Sequence, residues 1–125
     1  VFVNDRSNKR IQVFDENGKH LDEWNIGPEP AQIYTIYMGA DHALWGADFG
    51  TSKMVKWDDQ GHLIYTWGTF GQYPGGMWGV HQISVDQEGN VYVAEVDNGG
   101  GQKYRPRKGA NPSMLMGKPL RVAWK

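Results

Sequence analysis

The strongest constraint on this chain is that it says nearly the same thing twice. The stretch "RIQVFDENGKHL" (residues 10–21) recurs as "KMVKWDDQGHLI" (residues 53–64) at a constant offset of 43. Arg10 answers to Lys53, Phe14 to Trp57, Asp15 to Asp58 and Gly18 to Gly61. The match extends backwards, with "VFVND" (1–5) answering to "LWGAD" (44–48). A third copy starts at "VYVAE" (91–95), 47 residues after the second. A further shared element aligns "IYTIYMGAD" (33–41) with "VHQISVDQEG" (80–89) and sets Tyr34 opposite His81. A period of about 20–50 residues marks an architecture of stacked units, each burying its apolar surface against its neighbours.

Each unit reads as four short strands. In the third they are "HQISVD", "NVYVAEV", "GQKYR" and "SMLMG". The turn between the first two strands of the third unit is "QEGN", a Gly/Asn signal, and those between the third and fourth strands of the first two units are "DENG" and "DDQG", which use Asp early and Gly late. Within "VYVAEV", Val91 and Val93 share one face and Tyr92, Ala94 and Val96 the other; "RIQVF" likewise splits Ile11 and Val13 from Phe14. Apolar residues on both faces predict sheets covered on both sides. Four-stranded antiparallel sheets packed face to face around an axis are the blades of a β-propeller. The predicted class is therefore all-β, with about three blades and no helix beyond a turn or two. The units run over roughly 1–27, 28–69 and 70–119, with 120–125 as a closing strand.

"VYVAEVDN" and "VFVNDRSNKRIQVFDENGKHL" resemble the NHL repeat, whose blades carry a V-Y-V-A-D…N-R-I-Q-V-F…G pattern. The run Asn8-Lys9-Arg10-Ile11-Gln12-Val13-Phe14 carries the match, and the likeness extends from Val1 to about Tyr104. The segment "MWGVHQISVDQEGNVYVAEV" is further similar to propellers of the peptidyl-α-hydroxyglycine amidating lyase type. That second resemblance implies a catalytic zinc held by histidines from three blades. A catalytic zinc needs three protein ligands and one open position.

Three units are fewer than the about 4–8 blades of a closed propeller. An open row would leave two apolar faces wet, carrying residues such as Val1, Val3, Ile11 and Val13. The first unit also begins at its second strand, whereas "LRVAWK" (120–125) is a spare strand-like tail. These features predict either a fragment or a homodimer in which two chains close a six-bladed ring, each tail completing a first blade.

Composition narrows the function classes. The chain has 125 residues, a net charge of −1 and no cysteine. Near-neutral charge argues against broad capture of nucleic acid or anionic membrane. No apolar run approaches the roughly 18–20 residues that span a bilayer, so a soluble protein is expected, in a compartment the sequence leaves open. No nucleophile elbow, phosphate loop or HExxH helix is present.

His81 is the candidate catalytic or metal residue, since it opens an innermost strand whose side chains can face the channel. Tyr34 holds the equivalent place one unit earlier. The plainer alternative for His81 is a polar channel residue bound to water or backbone. His42 and His62 lie in or beside turns, His20 opens an outer strand where solvent is its expected neighbour, and none has paired-ligand spacing with another. Asp5, Asp48 and Glu95 close the second strand of every unit, and such recurrence favours a structural role, accepting N–H bonds from the following turn. The stretch "TWGTFGQYPGGMWG" (66–79) joins two blades and carries Trp67, Phe70, Tyr73 and Trp78 among five glycines. Its aromatics either plug the gap between blades or face a ligand, with Tyr73 and Trp78 the better placed. "KYRPRKG" (103–109) reads as a solvated basic edge rather than an RNA surface. In "DNGGGQ", Gly100 and Gly101 replace the usual basic and apolar residues, which predicts a looser strand.

These features support a ring-forming module that binds a small-molecule, peptide or protein ligand through Tyr34, Tyr73, Trp78 and His81. The alternatives are a metal-dependent lyase acting in the central channel, with zinc or calcium, or an inactive remnant of a larger enzyme.

Overall fold

The computed structural model describes residues 1–73 and 76–95 in full, and the backbone of Gly100–Tyr104 and Leu120–Ala123. Eleven strands are described. They are β1 (Phe2–Asp5), β2 (Arg10–Phe14), β3 (His20–Asn25), β4 (Ile33–Met38), β5 (Leu44–Asp48), β6 (Lys53–Trp57), β7 (Leu63–Trp67), β8 (Val80–Val85), β9 (Val91–Glu95), β10 (Gly100–Tyr104) and β11 (Leu120–Ala123). They form three antiparallel sheets: β1-β2-β3, β4-β5-β6-β7 and β8-β9-β10-β11. Among the described residues the only helical element is one 3-10 turn at Arg6–Asn8.

The predicted turns form as the sequence chemistry requires. The Asp15, Asp58 and Asp86 carboxylates each accept backbone N–H bonds from the residues two and four positions on, at 2.8–3.0 Å. The glycine three positions after each acid adopts φ of 84°, 81° or 79°, a region strained for residues with a Cβ. At Gly61 there is a second reason: a Cβ there would come within 2.6 Å of the Trp24 ring.

Two apolar layers flank the middle sheet. Toward the first sheet it presents Ile33, Leu44, Val55 and Trp57, which meet Ile11 and Trp24. Toward the third sheet it presents Trp45, Ala47 and Met54, which meet Val80, Ile83, Val91 and Val93. All five residues of β5 are buried, as period-two alternation between two covered faces demands. Gly46 completes that strand because Trp57 lies across it, 2.7 Å from where a Cβ would stand.

Three expectations need correction. The first concerns coverage: among the described residues, the middle sheet alone is packed on both faces. In β9, Val91 and Val93 are buried, while Tyr92 and Ala94 are exposed. Val1, just ahead of β1, and Val3 within it are exposed at 68% and 42%. The sequence patterns are alike, but an end sheet of this chain has a neighbour on one side alone.

The second concerns the open face of the first sheet. Ile11 is fully buried and Val13 half-buried, both packed toward the middle sheet. Asn4 pairs with Ile11 and Val3 with Gln12, so Val3 and Ile11 point to opposite sides. The third concerns the tail. Leu120–Ala123 pairs antiparallel with Gly100–Lys103 as the outer strand of the third sheet, and not with the first sheet. Within this chain it therefore completes its own unit rather than the first sheet. The "SMLMG" segment expected there lies outside the described residues. Gly100 and Gly101, expected to loosen β10, stand in continuous register with both β9 and β11.

Candidate functional site

The first strands of the middle and third sheets carry the same irregularity at the same place. In β4 the register shifts between Ile33 and Thr35, leaving Tyr34 outside the ladder. In β8 it shifts between Val80 and Gln82, leaving His81 outside. Such a bulge re-aims the extra side chain, and bulges are over-represented beside active sites. The two rings meet: Tyr34 and His81 stack with centroids 5.0 Å apart at 24°. Aligned repeat positions have become a physical contact between neighbouring sheets.

Two more residues complete the cluster. Phe49 meets Tyr34 edge-on, at 4.4 Å and 81°. The Arg6 guanidinium carbon lies 4.5 Å from the centre of the Tyr34 ring. Aromatic pairs of this kind contribute about 0.5–1.5 kcal/mol beyond burial, and an exposed cation–π contact about 0.5–1 kcal/mol. The sequence held a signal for both. Arg6 and Phe49 each follow the acid that ends the second strand, at the constant offset of 43. One approaches Tyr34 from its own sheet and the other from the sheet before.

The recurrent carboxylates hold this end of the sheets in place. Asp48 accepts the Gln32 N–H at 2.8 Å and the Thr51 hydroxyl at 2.6 Å. Glu95 accepts the Trp78 N–H at 3.3 Å. Both are buried. Asp48 bonds to the following turn, as expected, but both acids also pin the segment that leads into a first strand, just ahead of Tyr34 or His81. Asp5 is different: it accepts Asn8 Nδ2 at 2.9 Å and Arg10 Nε at 2.8 Å. Those hydrogen bonds, from Asn8 foremost and then Arg10, hold its carboxyl below the ordinary value. Asn4 links the sheets here, donating from Nδ2 to the Ile33 carbonyl at 2.9 Å, while its Oδ1 is buried without a partner.

The loop over 66–79 divides its aromatics. Trp67 packs against the core, and Trp78 is half-buried and stacked on Phe70 at 4.5 Å. Phe70 and Tyr73 are exposed at 58% and 51%. Trp67 thus fills the gap between sheets, as one reading of the loop expects, while Tyr73 and Trp78 make no described contact with the Tyr34–His81 stack. The remaining histidines stay apart. His62 bonds Asp58 within its turn, His20 meets Phe14, and His42 occupies a turn at φ 60°. Lys103 and Tyr104 end β10, and the rest of the basic segment lies outside the described residues.

The metal reading can be tested on the donor set. The chain has four histidines and no cysteine. Among the described residues no group of three His, Asp or Glu side chains could hold a metal ion. His81 brings an imidazole, but its described ring neighbour is the Tyr34 phenol ring rather than a second ligand. These residues do not fit a zinc or calcium site.

No family model matches the chain, and no curated protein does. Solved structures do. A streptogramin B lyase superposes with a TM-score of 0.71 at 13% identity, over 98% of this chain and 36% of the lyase. A catalytically inactive virginiamycin B lyase from Staphylococcus aureus, solved with quinupristin, gives 0.69 at 12% identity, over 98% and 37%. A protein of unknown function from Bacteroides caccae gives 0.63 at 15% identity, over 94% and 40%. The chain thus spans little more than a third of the lyases' length. At such identities the likeness establishes the fold: antiparallel sheets arranged as in a β-propeller.

Proposed function

We propose that this chain is a binding module of the NHL-repeat propeller type, with its site at the end of the sheets where Arg6, Tyr34, Phe49 and His81 cluster. The observation that carries the reading is the pair of matched bulges, each turning a functional ring out of its ladder. A regular strand would pack as well without them, so their repetition at two stacked side chains argues for use. The experiment is a small-ligand screen by NMR on the whole chain. Hits should move the Tyr34 and His81 ring signals and lose that effect in Tyr34→Ala. Hits that consistently map elsewhere would refute the site.

We further propose that a second copy closes the ring. The open face of the first sheet shows Val1 and Val3, and that of the third shows Tyr92 and Ala94. In the middle sheet the counterparts of Val1 and of Tyr92 and Ala94 are Leu44, Trp45 and Ala47, and all three are packed against a neighbouring sheet. The two open faces are therefore complementary head to tail, and such contacts make a ring when the rotation closes. Sedimentation should give twice the 14.1 kDa chain mass at micromolar concentration. A lone 14.1 kDa species would exclude this closure.

The lyase reading rests on the fold likeness, and calorimetry with zinc separates it. Stoichiometric zinc, lost in His81→Ala, would favour the lyase; its absence favours the binding module.

A further inference from the structure

The loop between β7 and β8 is held together by its own backbone. The Met77 N–H donates to the Thr69 carbonyl at 2.8 Å, the Gly71 N–H to the Met77 carbonyl at 3.0 Å and the Gly76 N–H to the Tyr73 carbonyl at 2.8 Å. Glycine permits this closeness. A Cβ on Gly76 would run into the Gly71 backbone, and one on Gly71 into the Tyr73 ring. Met77 turns into the core, whereas Phe70 and Tyr73 stay more than half exposed. Each of these rings is backed on one side: Phe70 stacks on Trp78 at an interplanar angle of 29°, and the Tyr73 ring lies against Gly71. Such backing leaves the opposite side of each ring to solvent.

We infer that this loop is a second binding site, a platform for neutral saccharides whose C–H faces stack on Phe70 and Tyr73, each ring serving one sugar unit. It goes beyond the cluster around Tyr34 and rests on different residues. Charge selects the ligand first. No Asp, Glu, Lys or Arg occurs from Gln60 to Val85, so the segment offers neither a fork for carboxylate or phosphate nor cations for a nucleic-acid backbone. Exposure selects next. A flat apolar ligand on an open ring keeps its far side in water and forgoes the burial that an enclosed pocket gives. A sugar ring suits such a surface, because it has an apolar C–H face and a rim of hydroxyls that stay solvated. Thr69, Gln72 and the Tyr73 hydroxyl place uncharged donors and acceptors in the same segment, the kinds of group that match those hydroxyls. Rings already fixed by Trp78 and Gly71 lose little freedom on binding.

The test uses the full chain, isotope-labelled, titrated separately with cellotriose, maltotriose and triacetylchitotriose, and with indole as the apolar control. The readout is the NMR signals of the Phe70 and Tyr73 rings. At least one saccharide should shift them saturably at millimolar concentration. Phe70→Ala and Tyr73→Ala, both at exposed positions, should each weaken that binding about fivefold, the worth of one stacking contact. Unchanged signals from the buried Trp45 and Trp57 rings check that the variants fold. If none of the saccharides moves either ring, the proposal is overturned, and a response to indole alone would assign flat apolar ligands instead. Saccharide binding that survives both substitutions at full strength would equally remove it from this loop. The Tyr34 and His81 signals report on the other site, so the two readings stand or fall separately.

Discussion

Ala47 and Ala94 hold the same place in β5 and β9, and the two alanines live in different worlds. Ala47 is fully buried between sheets, whereas Ala94 is exposed. Their neighbours follow suit: Trp45 is 3% exposed and Tyr92, its counterpart, 38%. The local sequence hardly distinguishes the strands. What differs is that the middle sheet has a sheet on each side and the third sheet has one on a single side within this chain. Burial in a repeat architecture is therefore decided by stacking rather than by the unit itself.

The sharpest way to break the comparison is to put one charge at both places. Ala47→Asp would set a carboxylate in a closed apolar layer of Met54, Val80 and Val91. It should cost about 4 kcal/mol or more, which is enough to unfold most domains of this size. Ala94→Asp should change the stability of the single chain by about 0.5 kcal/mol or less. Urea unfolding, read at a concentration too low for association, compares the two. Equal effects would show that the third sheet is covered on both faces. If a second copy closes the ring, Ala94→Asp should instead abolish the dimer while leaving chain stability nearly intact.

The ring pair gives a smaller contrast in the same register. Trp45→Ala removes a buried indole that packs in the inner layer and lies 4.8 Å from the ammonium of Lys56, itself buried and paired with Asp41 at 2.6 Å. A loss of about 3–5 kcal/mol is expected. Tyr92→Ala removes a half-exposed ring and its hydroxyl bond to Asp86, and should cost about 1–2 kcal/mol. Thermal or urea unfolding of both variants checks the ratio; near-equal losses would refute the one-sided packing of the third sheet.

Much of this was legible from the sequence, for physical reasons that also explain what was not. The strand pattern and the Asp-x-x-Gly turns follow from local chemistry, so Asp15 and Asp58 behave as read, and Asp86, expected at the end of a strand, proves to act the same way. The pairing of Tyr34 with His81 was legible because a constant offset maps one repeat onto the next. Their stacking was not, because it depends on two bulges that no local residue signals. Arg6 shares its repeat position with Phe49, but its contact to Tyr34 is made from a different sheet and depends on how the two sheets pack. The fate of residues 120–123 turned on strand competition, where the nearer free edge of β10 took the strand. Which face of the first sheet stays open required the Val3–Gln12 register, and alternation in β2 alone could not supply it.

The smallest effect concerns the two recurrent acids of the first and middle sheets, Asp5 and Asp48. Asp48 pins the lead-in to β4 through the Gln32 N–H, whereas Asp5 turns to Asn8 and Arg10. Those partners favour the ionised form of Asp5 and lower its carboxyl below the ordinary 3.8. In the unfolded chain the group regains its ordinary value, so the unfolded state takes up a proton first as acid is added. The stabilisation from Asp5 is then fully present above about pH 5 and is lost as the pH falls through the lowered folded value. Asp5→Asn keeps an acceptor for Arg10 but cannot titrate. Its stability should lie slightly below wild type at pH 7, and the gap should narrow as the pH falls below the ordinary carboxyl value of 3.8. Urea midpoints at pH 7, 5 and 3 measure the gap. A gap that stays constant with pH would mean that Asp5 acts by shape alone and that its bonds to Asn8 and Arg10 carry no linkage. A gap that closes would mark Asp5 as the acid that replaces a backbone anchor with a side-chain one.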